Sequence, residues 1–364
     1  MPRSLPDTVL IEWPQSLSQP AADTERALDR AADLLRHGGL VAIPTETVYG
    51  LAADALNATA IEKIFRAKQR PATNPLIVHV VDVGMAQSLA AEWPAAAAAI
   101  TAELWPGPVT VVVPRGTSVP DTVTAGGATV ALRCPQHRLT RRLIEKLGRP
   151  LAAPSANRSE AVSPTTAHHV LESLGNRIDL ILNGGSCDCG IESTVVDCTQ
   201  VPARILRPGP ISRQILEEVL GRGMVMECDR LSRHVGLQAA RAPGQHARHY
   251  APQTPLELST CAADRVACLL RSGKRIGWLT TQTNSANARL LAQSRELVIV
   301  PMPEEPVLFA RQLYATLHAI DQRGLDAIVV DAVPDTEAWQ AVRDRLLRAA
   351  TPAPAIALPE KADA

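Results

Sequence analysis

Four cations, Lys68, Arg70, Arg133 and Arg207, share the N-terminal part of this chain with hydroxyls at Thr45, Thr47, Ser155, Ser163 and Ser193 and amides at Asn74 and Asn157. Nearly all of them fall where an apolar run of strand length stops. This is an anion-binding inventory. It suits reactions driven by positioning and charge neutralisation, as phosphoryl and nucleotidyl transfers are. The sequence has no nucleophile elbow. Cys187-Asp188-Cys189, with Cys198 nearby, lacks the matching pair or histidine of a zinc site, so no metal site is expected.

Ile43-Pro44-Thr45-Glu46-Thr47-Val48-Tyr49-Gly50 concentrates this pattern. The apolar run Leu40-Val41-Ala42-Ile43 has the branching of a buried strand, and Pro44 removes a backbone donor where it must stop. In open α/β sheets, ligands bind at carboxyl ends of strands. Taken alone, Pro-Thr-Glu-Thr is equally a capped turn leading to a helix. A histidine interrupting a buried strand, as His79 does in 76–81, is by itself more often structural than a ligand.

The elements that must position these groups follow from periodicity. Residues 1–20 show none and read as a loosely ordered lead-in. Helices are expected over 24–37, 59–68, 85–104, 138–147, 165–174 and 211–221, and strands over 40–43, 76–81, 109–113, 129–133, 151–153, 178–182, 195–197 and 204–206. Several connections are too short to hold a helix. The fold class expected is therefore α/β, a twisted mixed sheet with flanking helices around a concave cleft.

From 222 to 255 the composition shifts to Gly, Arg, His and Pro, an interdomain linker whose segment 242–252 is a candidate lid or, equally, a solvated spacer. Beyond it a βαβαβα alternation over 275–349 predicts a smaller Rossmann-like parallel α/β domain. No G-x-G-x-x-G opens a helix there, so a dinucleotide site is not supported. The expected division is 21–221, a linker 222–255, and 256–352.

The 364 residues carry 37 basic and 37 acidic side chains, so charge alone does not imply tight nucleic-acid binding. No run is long enough to span a membrane, the start lacks the apolar core of a signal peptide, and seven scattered cysteines suit reduced thiols. A cytoplasmic protein is expected.

Seven motifs, in order, resemble the signature of the YrdC-like threonylcarbamoyl-AMP synthases. They are Pro44-Thr45-Glu46-Thr47-Val48-Tyr49-Gly50-Leu51, Lys68-x-Arg70-Pro71, Asn74-Pro75-Leu76-Ile77-Val78-His79, and Trp105-Pro106-Gly107-Pro108-Val109-Thr110. Ala153-Pro154-Ser155-Ala156-Asn157, Glu192-Ser193-Thr194 and Leu206-Arg207-Pro208-Gly209 complete the set. The linker and tail resemble the two-domain Sua-type members. Within the linker, Pro243, Gly244, Arg248, His249 and Tyr250 match that family's pattern, while Ala242, Gln245, His246 and Ala247 depart from it.

The resemblance implies an enzyme, a nucleotidyltransferase joining L-threonine, bicarbonate and ATP with Mg²⁺ into threonylcarbamoyl-AMP and pyrophosphate. The product would pass to a tRNA threonylcarbamoyl-transferase complex that modifies the adenosine beside the anticodon, with at most weak tRNA contact by this chain. Carried over by motif, Thr47, His79, Arg133 and Ser193 would surround threonine. Arg70, Asn74, Thr129, Ala153, Ser155, Ser163 and Arg207 would hold ATP, with His249 or Tyr250 reaching it from the linker. Lys68 and Arg70 would neutralise the triphosphate and departing pyrophosphate. Two other readings stand beside it: a non-catalytic RNA-binding module using the same basic cleft, and a carbamoyl-transfer domain acting on a partner protein.

Overall fold

A computed structural model describes residues 9–12, 22–227, 249–283 and 285–350. Among these, eleven strands form one sheet and four a second. The first contains β1 (Val9–Glu12), β2 (Val41–Ile43), β3 (Gly50–Asp54), β4 (Ile77–His79), β5 (Val109–Pro114) and β6 (Thr129–Arg133). It continues with β7 (Leu151–Ala152), β8 (Leu180–Asn183), β9 (Thr194–Asp197), β10 (Ala203–Arg207) and β11 (Val225–Met226). Their spatial order is β1-β8-β2-β3-β7-β4-β6-β5-β9-β10-β11.

The sheet is mixed, as expected. Strands β4 and β6 run parallel with His79 opposite Arg133, β5 runs antiparallel to β6, and β9 runs parallel to β5 and antiparallel to β10. These registers bring the ends of β4, β6 and β10, and the starts of β5 and β9, to one edge. His79, Arg133, Ser193 and Arg207 therefore converge there although the sequence scatters them. Alternation inside the strands leaves an apolar floor of Ile77, Val112, Ala131, Val195 and Leu206.

Four expectations are corrected. The lead-in contains β1, which pairs with β8 through Val9 and Leu180, a contact that four residues without flanking periodicity do not announce. Strand β3 begins at Gly50 and is entirely buried, so its Gly-Leu-Ala-Ala-Asp run lacks the alternation of a half-buried strand. The helix over 85–104 is two helices, Val83–Gln87 and Ala95–Leu104, because the backbone between them bonds to the end of β5 instead, Ala91 N–H to the Pro114 carbonyl at 2.9 Å, and Pro94 stands at the N-cap position of the second. Strand β11 lies in the stretch read as linker and closes the sheet's far edge against β10.

The second sheet is wholly parallel: β12 (Leu256–Ser259), β15 (Ala327–Asp331), β13 (Ile276–Thr280) and β14 (Leu297–Pro301), in that spatial order. The βα unit of β12 and helix Ala262–Arg271 precedes the alternation read from sequence. The helices Pro306–Asp321 and Gln340–Ala349 face the first sheet's domain, and one apolar cluster joins Val48, Val162 and Ile191 to Phe309, Leu313, Leu317 and Val342. Gly190, at φ +75°, lies so close to this helix that an added Cβ would meet the Ala310 carbonyl at 2.7 Å. No helix among the described residues is long and apolar enough to cross a membrane.

Candidate active site

The loop between β2 and β3 is both a capped turn and a cavity wall. Thr45 Oγ1 accepts the backbone N–H groups of Thr47 and Val48, each at 3.2 Å, and donates to the Val48 carbonyl at 2.6 Å. That local bonding fixes the loop, and Thr47 then faces Arg133, whose Nη1 donates to Thr47 Oγ1 at 2.8 Å. Arg133 Nη2 donates to Glu46 at 2.6 Å and Nε to the Gly107 carbonyl at 3.3 Å. Glu46 Oε2 accepts the Gln136 N–H at 3.0 Å. Tyr49 anchors the loop from behind, donating its hydroxyl to the Gly185 carbonyl and accepting the Gly184 N–H. Glu46 and Tyr49 are thus the positioning members of a motif whose other residues were legible.

His79 is buried beside Arg133, and its Nδ1 has no hydrogen-bond partner among the described residues. Burial, reinforced by the Arg133 charge, pulls its pKa from the ordinary 6.5 to about 3. The ring is therefore neutral and can offer an acceptor to a ligand.

Three further cations sit in low dielectric. Lys68 Nζ donates to the Ser155 and Asn157 carbonyls, both at 2.5 Å. Arg70 donates to the carbonyls of Asn74 and Pro75 at 3.3 and 2.9 Å. Arg207 donates to the Ser193 carbonyl at 3.0 Å and to its hydroxyl at 3.2 Å, while that hydroxyl lies 2.8 Å from Thr110 Oγ1. Burial depresses all three; Arg70 also pushes on Lys68, and Arg207 on Arg70. Cations held against their own hydration gain most from an anion between them. Beside them Asn74 is buried with neither side-chain polar atom partnered among the described residues. Such an orphan amide is a reason to look for a ligand.

Glu192 is the hub between the two domains. Its carboxylate accepts Ser163 Oγ at 2.5 Å, Tyr314 OH at 3.1 Å and Arg345 Nε at 3.0 Å. Burial alone would raise its pKa; Arg345, Arg207 and the Ser163 hydrogen bond overturn that and hold it below the ordinary value. Arg345 also lies over the Tyr250 ring at 5.2 Å, and Tyr250 lies edge-on to His249 at 4.1 Å between centroids. Tyr250 adopts φ +61°, a conformation that costs a bulky residue about 1–3 kcal/mol and persists where packing over-determines it.

One cavity gathers much of this set. Thr45, Thr47, Arg70, His79, Arg133, Ala153, Ser155, Glu192, Ser193, Arg207, His249 and Tyr250 all line it. A second cavity, lined by Pro75, Leu76, Thr124, Thr129, Ala131, Asp197 and Thr199 among others, shares the apolar floor with the first. A family model described as telomere recombination (Sua5, YciO and YrdC) matches residues 33–209. A second, described as the C-terminal domain of threonylcarbamoyl-AMP synthase, matches 211–351. The threonylcarbamoyl-AMP synthase of Pyrococcus abyssi is 38% identical over 88% of this chain and 92% of its own. That of Bacillus subtilis is 35% identical over 93% and 97%. The chain belongs to the Sua5 family.

The crystal structure of P. abyssi Sua5 complexed with L-threonine superposes with a TM-score of 0.83 at 36% identity, covering 94% of this chain and 98% of that one. Within this Sua5 fold the expected threonine set, Thr47, His79, Arg133 and Ser193, lines a single cavity. Of the expected nucleotide set, Arg70, Ala153, Ser155, Arg207, His249 and Tyr250 line it too, whereas Thr129 lines the second cavity. Lys68, Asn74 and Ser163 stand behind the walls, Ser163 with its hydroxyl given to Glu192. Residues 242–248 of the candidate lid lie outside the described residues. Tyr314 and Arg345 carried no motif signal, since an arginine in an amphipathic helix looks like a solvated one. Cys189 contributes its backbone N–H to the Glu46 carbonyl at 2.7 Å.

Proposed function

We infer that this protein is a threonylcarbamoyl-AMP synthase, joining L-threonine, bicarbonate and ATP with release of pyrophosphate. The observation that carries the reading is the single cavity in which an amino-acid-sized polar set, Thr47, His79, Arg133 and Ser193, abuts the buried cations Arg70 and Arg207. Arg133 spends three of its five N–H groups on protein and keeps two for the threonine carboxylate, a bidentate match. Neutral His79 and the Thr47 and Ser193 hydroxyls orient the rest of the amino acid. ATP lies across the apolar floor toward Thr129, with its phosphates at Arg70, Ser155 and Arg207.

No enzyme nucleophile is required. Bicarbonate loses hydroxide to give carbon dioxide, the threonine amine adds to that carbon, and the proton shed by the nitrogen combines with the hydroxide as water, leaving a carbamate. A carbamate oxygen attacks the α-phosphorus and the bond to pyrophosphate breaks. Because an adenylyl group is transferred, the enzyme is a nucleotidyltransferase. Arg70 and Arg207 stabilise charge on the phosphates, while Lys68 acts one layer back by pinning the Ser155 and Asn157 backbone. His249 and Tyr250 close the cavity against water, which protects a carbamoyl-adenylate from hydrolysis.

Among the described residues, the side chains build no resident metal seat. No group of three or more His, Cys, Asp or Glu among the described residues could hold an ion, and Glu46 and Glu192 are each committed to an arginine. Mg²⁺ is therefore proposed to arrive with the triphosphate, as MgATP. The product goes on to a tRNA threonylcarbamoyl-transferase complex. The RNA-binding alternative is disfavoured because Arg70, Arg133 and Arg207 line a recessed cavity and are 8% exposed or less, which suits a small ligand entering that cavity and not a polynucleotide backbone laid across a surface.

The test is pyrophosphate release by purified protein supplied with ATP, Mg²⁺, bicarbonate and threonine. Threonine-dependent release is expected. Release no greater than in a threonine-free control would overturn the assignment.

A further inference from the structure

Ser193 immediately precedes β9 and Arg207 ends β10, antiparallel neighbours in which Arg207 stands opposite Val195 across an irregular register. Three contacts beyond that pairing hold the two ends together. Arg207 reaches back to the Ser193 carbonyl and hydroxyl. Gly209 packs against the Ser193–Thr194 backbone so closely that a Cβ would come within 2.6 Å of the Ser193 carbonyl carbon. The third contact comes from the other domain. Arg345, on the helix Gln340–Ala349, donates through Nε to the Glu192 carboxylate at 3.0 Å and through Nη1 to the Pro208 carbonyl at 2.8 Å. One fully buried guanidinium thus bridges the residue before Ser193 and the residue after Arg207.

Tyr314 and Ser163 complete the Glu192 carboxylate, so its orientation is set from both domains. The arginine fork can hold two acceptors at a fixed angle, which an ammonium cannot do. We propose that Arg345 is a positioning residue of the reaction: by clamping the Glu192–Ser193 and Arg207–Pro208 loops together, the second domain fixes the threonine subsite against the phosphate subsite. This rests on the reading of Ser193 as a threonine contact and Arg207 as a phosphate contact. The two substrates can each bind without the clamp, because Thr47, His79 and Arg133 hold one and Arg70 and Ser155 the other. What the clamp supplies is the alignment of carbamate oxygen and α-phosphorus, and a misplacement of about 1 Å there costs about 100-fold in rate.

The experiment compares full-length wild-type protein with a Glu192→Gln/Arg345→Met double variant, which removes both buried charges together and leaves neither unpaired. Arg345→Lys is the conservative partner, and Arg343→Gln, on the same helix but paired with Asp335, is the control. Threonine-dependent pyrophosphate release gives kcat and KM, isothermal titration gives threonine affinity without ATP, and thermal melting reports folding. The expected result is a kcat about 100-fold lower in the double variant, with threonine affinity and melting little changed, and a smaller loss in Arg345→Lys. Should the double variant fail to fold, Arg345→Lys carries the same comparison.

Wild-type kcat in the folded variants overturns the clamp. So does a loss of threonine affinity or of melting temperature that accounts for the whole loss of rate, since that is what a merely structural contact gives. If wild-type protein itself shows no threonine-dependent release, the underlying functional reading fails instead.

Discussion

The Arg133 guanidinium and the Glu46 carboxylate meet at 2.6 Å inside the protein, each side chain 4% exposed. The pair explains how an arginine is kept ready for a carboxylate without being free to swing. Glu46 takes one Nη2 N–H and Thr47 one Nη1 N–H, and Arg133 lines the cavity beside them. Arg133→Ala should therefore raise the threonine KM by tenfold or more while leaving the ATP KM nearly unchanged, and equal effects on both would remove Arg133 from the amino-acid subsite. It should also cost about 3–5 kcal/mol of stability, because Glu46 is left buried and unpaired. Denaturant titration measures that, and Glu46→Gln/Arg133→Met should recover part of the stability without recovering threonine binding.

Lys68 tests the contribution of a buried cation that does not line the cavity. Its ammonium is spent on the Ser155 and Asn157 carbonyls, and burial together with Arg70 depresses its pKa. Lys68→Met keeps the length of the stem and orphans those acceptors, at about 1–3 kcal/mol each for desolvated groups. The expected outcome is a raised ATP KM with threonine affinity retained, read by steady-state kinetics and by titration with threonine alone. Lys68→Arg should not rescue it, since a planar guanidinium does not fit a site 1% exposed and filled by one ammonium. Full ATP affinity in Lys68→Met would reduce Lys68 to a spectator.

These residues also show what a sequence makes visible. Arg133, Arg207 and Ser193 stood out because a polar group at the end of a buried run breaks a local pattern. The strands carrying them were legible for the same reason. Glu46 and Glu192 lay in equally recognisable motifs, yet their roles depend on partners far along the chain, Arg133 for the one and Arg345 for the other, and no local rule supplies a contact across 153 positions. Strand β1 was invisible because its only reason to exist is an edge offered by β8. Thr129 was expected with the nucleotide set and lies in the second cavity, a separation that strand register decides and spacing does not.

His79 makes the stability depend on pH with a definite sign. In the folded protein burial and Arg133 hold it neutral, with a pKa of about 3, whereas an unfolded chain takes up a proton below the ordinary 6.5. The unfolded state therefore binds more protons between those values, and stability must fall as pH drops through that window. The contribution is at most about 1.4 kcal/mol per pH unit. Urea midpoints measured from pH 7 to 4.5 should decline, and His79→Gln should decline less steeply. Parallel curves for the two proteins would mean that the ring is not held neutral.

Gly209 offers the sharpest steric test of how the two loops fit. Its missing side chain lets the Pro208–Gly209 backbone lie on the Ser193–Thr194 backbone, and an added Cβ would stand 2.6 Å from the Ser193 carbonyl carbon and closer still to the Thr194 nitrogen. These are main-chain atoms, so no rotamer change relieves the clash and the loops must part by several tenths of an ångström or more. Gly209→Ala should cost about 1–3 kcal/mol, as overpacking does elsewhere, and should lower kcat by more than that loss of folded protein explains. Thermal melting and threonine-dependent pyrophosphate release measured on one preparation separate the two effects. Because Thr47, His79 and Arg133 lie on other elements, threonine affinity should survive. A variant with unchanged kcat would show that the spacing of Ser193 and Arg207 does not govern the reaction.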